Sequence, residues 1–207
     1  MGELGELPGN SLTVVNVPGA KVLGTIALAA GAKPHGVEWL DKHRAVVTAE
    51  GTRSLLVVDV DSLEVTQSVA VDQEVGHMVA VSADLGRAYV ANIGSGTVSV
   101  VDLAEGRKIS DLSAGDGSEG IALAGNQQQL WATNRAAGTV SVFDSGKLEK
   151  LEDIPLPGFP IRAEADDPRG RVYVTLPRAD ALAVFDRESR KEISRLQFDV
   201  PPDRSRK

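Results

Sequence analysis

The chain has 207 residues, 42% of them hydrophobic, a formal net charge of −7, three histidines and no cysteine. That composition can bury a sizeable core, and it excludes a disordered chain, a disulfide framework and thiolate chemistry. The acidic balance, with no basic run longer than the closing Arg204-Ser205-Arg206-Lys207, argues against nucleic-acid binding, and no apolar run nears the roughly 20 residues that span a bilayer.

In chain order, residues 1–10 are acidic and glycine-rich, unlike a signal peptide, so any export is signalled by sequence not present here. Residues 12–28 read as a hairpin, TVVNV followed by a strand over 22–28. From residue 34 a four-part unit repeats. Each unit starts with a short apolar segment, GVEWL, MVAVS, GIALA or RAEAD, and continues into a tetrad, VTAE at 47–50, YVAN at 89–92, WATN at 131–134 and YVTL at 173–176. A third strand follows, LVVDV, SVVDL, SVFDS or AVFDR, and the unit closes with a strand over 65–71, 108–112, 148–156 or 192–198. The polar residues that end the third strands, Asn16, Asp59, Asp102, Asp144 and Asp186, lie 43, 43, 42 and 42 positions apart.

Four short strands in about 42 residues, joined by tight Gly, Asp and Pro turns, predict an all-β fold, a β-propeller of four-stranded antiparallel blades. One such meander cannot bury both faces alone, so blades must stack. The units predict four full blades, at 34–71, 76–112, 118–156 and 160–198, plus an N-terminal two-stranded half blade. Together they form a single domain over 11–198, followed by a tail over 199–207. The tail contains Pro201-Pro202 and is a poor source of the strands that would complete the half blade, so an open arc or partial propeller is expected.

The tetrads YVAN and WATN, the run GTVSVVD at 96–102 and the proline-headed PHGV at 34–37 resemble the YVTN-type β-propeller repeat, over nearly the whole of 11–198. VTAE and YVTL depart from the tetrad, and only Pro34 and Pro160 keep the proline-headed start. The resemblance implies a periplasmic or extracellular protein, while the lack of a signal peptide in this sequence leaves a cytoplasmic location open. It also implies about seven blades of about 42 residues, so the chain reads as a fragment, a distorted five-bladed ring, or an arc completed by another chain. Open blade faces of such an arc would self-associate.

On a propeller the connections into the innermost strand and between the second and third strands share one face. This places His35, His77 and Glu119, at successive intervals of 42, at the mouth of the channel, where two imidazoles and a carboxylate suit a divalent metal. The second-to-third-strand loops add Glu50, Arg53, Asn92, Asn134, Arg135 and Arg178, a polar rim for a protein or small-molecule ligand. His43 falls on the opposite face. Recurrence in every blade gives Asp102, Asp144 and Asp186 a turn-capping reading, and Tyr89, Trp131 and Tyr173 an inter-blade packing one. No nucleophile elbow, phosphate loop or Ser-His-Asp arrangement stands out. The main reading is a non-enzymatic binding or scaffold module. The alternative, from the architecture's resemblance, is a lactonase-like hydrolase or a metal-, haem- or quinoprotein-associated propeller of an electron-transfer system.

Overall fold

The computed structural model describes residues 9–199; the expected N-terminal segment up to residue 8 and the tail from residue 200, with its Pro201-Pro202, lie outside the described residues. The chain opens with a two-stranded sheet, β1 (Ser11–Asn16) and β2 (Lys21–Ala27). Four antiparallel four-stranded sheets follow in strict sequence order. The first contains β3 (Pro34–Trp39), β4 (Arg44–Ala49), β5 (Ser54–Asp59) and β6 (Glu64–Ala70), and the second β7 (Gly76–Ser82), β8 (Arg87–Asn92), β9 (Thr97–Asp102) and β10 (Arg107–Ser113). The third contains β11 (Ser118–Ala124), β12 (Gln129–Asn134), β13 (Thr139–Asp144) and β14 (Glu149–Pro155), and the fourth β15 (Ala163–Asp166), β16 (Arg171–Leu176), β17 (Ala181–Asp186) and β18 (Glu192–Gln197). This is a partial β-propeller of four full blades and a half blade. Among the described residues no helix is long and apolar enough to cross a membrane.

The turns form for the reason their composition suggests. Asp59, Asp102 and Asp144 each accept two backbone N–H groups through Oδ1, at 2.8–3.0 Å, in the turn that follows. Asn16 and Asp186 each cap their turn in the same manner with one backbone N–H. Such Asx turns hold the third and fourth strands together without a long loop.

Hydrophobic burial lies between blades. Tyr89, Leu130 and Phe143 share one cluster of the second and third blades, while Trp131, Leu176 and Phe185 share one of the third and fourth. Trp131 is fully buried, its ring 5.7 Å from that of Phe185, and Tyr89 Oη donates to Ser145 O of the next blade at 2.9 Å. Tyr173 is half-buried, since no further blade among the described residues packs on it.

The fourth blade departs from the expected start at Pro160. Its innermost strand begins at Ala163, preceded by Ile161 N donating to Thr175 O and Thr175 N donating to Arg162 O, while Ile161 O accepts from Thr133 Oγ1 of the third blade at 2.9 Å.

Candidate ligand site on the inner rim

Three of the innermost strands carry the same irregularity at their first residues. The register of β3 with β4 shifts between Pro34 and Val37, that of β7 with β8 between Gly76 and Val79, and that of β11 with β12 between Ser118 and Ile121. The residues inside those shifts include His35, His77 and Glu119. A bulge releases a residue from the pleat and re-aims its side chain, so the repeat delivers these three groups to one end of the channel.

Glu50 reaches the same place from a single 3-10 turn, Glu50–Thr52, in the first blade's second-to-third-strand loop. That turn is pinned from below, with Glu50 N donating to Lys33 O and Gly51 N to Ala32 O. Gly51 permits the approach: a Cβ there would lie on Gly31 O.

The groups meet as a chain of contacts. His35 and His77 stack with ring centroids 3.5 Å apart. His77 Nδ1 lies 2.7 Å from Glu50 Oε1, and its Nε2 lies 3.5 Å from Glu119 Oε1. Glu119, only 4% exposed, accepts from Arg135 Nη1 at 2.6 Å and Arg162 Nη1 at 2.8 Å, so two guanidiniums offset the cost of burying one carboxylate. Arg178 stacks over Phe159 at 3.8 Å, and Arg135 approaches the same ring at 5.6 Å. Desolvation pushes the His35 imidazole below its usual range, with His77 and Arg162 acting in the same direction against Glu50 and Glu119.

His35, Glu50 and His77 offer ligand atoms that all lie within 4.8 Å of one another. The third group of the compact cluster is therefore Glu50 and not Glu119, whose carboxylate is taken up by Arg135 and Arg162. Of the expected rim residues, Arg178 joins through Phe159, while Arg53 stands apart in an exposed pair with Glu74 at 3.4 Å.

Asn92 and Asn134 are turned inward, contrary to a place on the rim. Both are fully buried; each Nδ2 donates to a threonine and a serine hydroxyl of the next strand, Thr97 and Ser99 or Thr139 and Ser141. The serines donate in turn to Asp111 and Asp153. These ladders brace the second and third blades across three strands. His43 lies on the opposite side as expected, bonded to Asp61 at 2.5 Å.

Arg162 and Phe159 were not legible as site residues. The fourth blade starts in the same way, with Ile161 N donating to Thr175 O and Thr175 N to Arg162 O; the position equivalent to His35 is Ile161, and its neighbour Arg162 reaches Glu119. A cation at the start of the fourth repeat was the only signal.

The family model described as Cytochrome D1 heme domain matches residues 41–188. Among solved structures, one described as Kuenenia stuttgartiensis Hydrazine Synthase is similar with a TM-score of 0.74 at 22% identity, over 84% of this chain and 52% of that one. At that identity the likeness is one of fold, and this chain spans about half the length of that structure. No curated protein matches the chain.

Proposed function

We propose, from the premise that the chain belongs to the Cytochrome D1 heme domain family, that it works as a binding propeller of a haem-associated electron-transfer system. On this reading it acts by binding and not by turnover, and the arginine end of its rim receives a carboxylate-bearing group. The supporting observation is the charge balance there. Two guanidiniums, those of Arg135 and Arg162, pair with a single buried carboxylate, Glu119, and a third, that of Arg178, stacks on the Phe159 ring that Arg135 also approaches and among the described residues meets no carboxylate at all. Planar guanidinium forks suit a second carboxylate, supplied by a small molecule or a partner's acidic side chain. The tetrads and the 42-residue spacing support a YVTN-type description of the blades within this family, and a role of this kind belongs in the periplasm or outside the cell.

The family's haem does not fit the histidine cluster. Ligand atoms of His77 and Glu50 lie within 4.8 Å of that of His35, and the two imidazoles cover each other's faces. A macrocycle on either ring would have to displace these neighbours.

Thermal unfolding with added succinate and, separately, hemin tests the reading, since a ligand that binds only the folded state raises its stability. Succinate is expected to raise the midpoint of the wild type and to lose that effect in Arg178→Ala. No shift in the wild type, or an equal shift in the variant, would remove the carboxylate reading. A hemin Soret change abolished by His35→Ala would instead put a haem on the histidines.

A further inference from the structure

We infer that His35, Glu50 and His77 form a binding site for a divalent first-row transition metal of the zinc class, separate from the carboxylate reading of the arginines and independent of it. Two imidazole nitrogens and one carboxylate oxygen are the donor types that such ions select, whereas calcium and magnesium prefer oxygen throughout. Tetrahedral ligands at ~2.1 Å from an ion stand ~3.4 Å from each other. The observed donors bracket that spacing: His77 Nδ1 and Glu50 Oε1 stand 2.7 Å apart and must open slightly, and all three groups offer donor atoms within 4.8 Å of one another.

The moving part is His35. Its stacked orientation over His77 points the ring planes alongside each other, so one imidazole must turn to aim its lone pair at a shared ion. His35 is exposed and has room to do this. His77 and Glu50 already hold Nδ1 and Oε1 2.7 Å apart, and an ion taking both atoms displaces the hydrogen between them.

The surroundings resemble the support that metal-bound histidines receive. The other nitrogen of His77 faces Glu119 at 3.5 Å, and that carboxylate is itself anchored by Arg135 and Arg162. A carboxylate behind a ligating imidazole fixes its tautomer and raises its basicity. The backbone contributes too, because His35 and His77 sit in β-bulges of adjacent blades and Glu50 in a 3-10 turn anchored to Lys33 and Ala32. Three separate elements thus position the donors, and two coordination positions at most are left to water or a ligand.

Calorimetric titration with zinc and visible absorption with cobalt(II) test the site on the whole chain. The wild type is expected to bind one ion and to give the visible bands of low-symmetry cobalt. His35→Ala and Glu50→Gln should each abolish tight binding, and Glu119→Gln should weaken it by on the order of 10–100-fold. His43→Ala, on the opposite face, and Arg178→Ala should leave it unchanged. His35 is exposed, so its variant keeps the test available if His77→Ala fails to fold. Absence of binding in the wild type, equal binding in His35→Ala and Glu50→Gln, or equal loss in His43→Ala would overturn the assignment. Loss of the succinate response in Arg178→Ala with zinc binding intact would show the two sites to be distinct.

Discussion

Single residues account for both the turns and the rim. Asp41, in the short connection between β3 and β4, accepts the N–H groups of His43 and Arg44 at 2.8 Å each and the Arg44 side chain at 2.9 Å. These bonds favour the ionised carboxyl and hold its pKa down from 3.8 to about 2. A folded-state pKa below the unfolded value means stability that is present above pH 3.8 and lost as pH falls toward about 2. Asp41→Asn is expected to flatten that part of the stability profile, which urea unfolding between pH 2 and 5 would read. Two of the turn-capping carboxylates, Asp59 and Asp186, are also held below the usual range by hydrogen bonds in their turns. Such caps were legible in the sequence because an Asx turn needs only its own neighbours. Arg162 and Glu50 were harder to read: Glu50 appeared as one rim residue among six, and nothing local to its loop reveals that an imidazole from the next blade will meet it.

At the scale of the element, the second strands of the blades differ in how they touch the next blade. Thr48 and Thr133 occupy the same position in β4 and β12. Each accepts the N–H of a bulge glycine, Gly36 or Gly120, and donates to a carbonyl of the following blade, His77 O at 2.7 Å or Ile161 O at 2.9 Å. The second blade has Met78 and Ala91 at these positions, and with no hydroxyl it makes no such stitch. The glycines are required by space: a Cβ at Gly120 would stand 2.2 Å from Ile161 O and 2.7 Å from Thr133 Oγ1. Gly120→Ala is therefore expected to cost ~1–3 kcal/mol through forced backbone displacement, measured as a lower urea midpoint with an unchanged slope. Its bulge also carries Glu119, so the same variant should weaken the arginine cluster. Strand positions were legible from alternation and turn residues. The bulges were not, because each lies at the first residues of its strand, where too little alternation precedes it to show the one-residue shift.

At the scale of the whole molecule, the two-stranded half blade leaves part of the first blade uncovered. Val37 and Trp39 pair with Val47 and Ala45 and so share their face of the sheet. Val47 and Ala45 are buried with Ile26 and Leu28 of the half blade, whereas Val37 and Trp39 are 53% and 58% exposed. The half blade supplies only the strands that cover the outer part of that face. The two tryptophans should therefore separate in a quenching experiment, Trp39 accessible to acrylamide and Trp131 protected. Self-association through this face would protect Trp39 as concentration rises, in step with an increase in sedimenting mass. Trp39→Ser should then remain monomeric at concentrations where the wild type associates. Constant mass together with constant Trp39 accessibility would show that the exposed face does not drive association.

The sequence by itself determined the period, the four strands of each unit, the capped turns, the inter-blade placement of Tyr89 and Trp131, and the half blade at the start. All of these follow from local alternation, from turn chemistry and from the need of each small sheet to bury two faces. It also brought His35, His77 and Glu119 to one rim, since equal spacing in a repeat means equivalent position in space. Only the tertiary structure decided which donors actually meet. Glu50 completed the compact donor cluster with the two imidazoles while Glu119 stood behind His77, paired with Arg135 and Arg162, and Asn92 and Asn134 turned into the blades. Those outcomes depend on how bulges aim individual side chains and how adjacent blades are set against each other, distances of a few ångströms that a period of 42 residues does not specify.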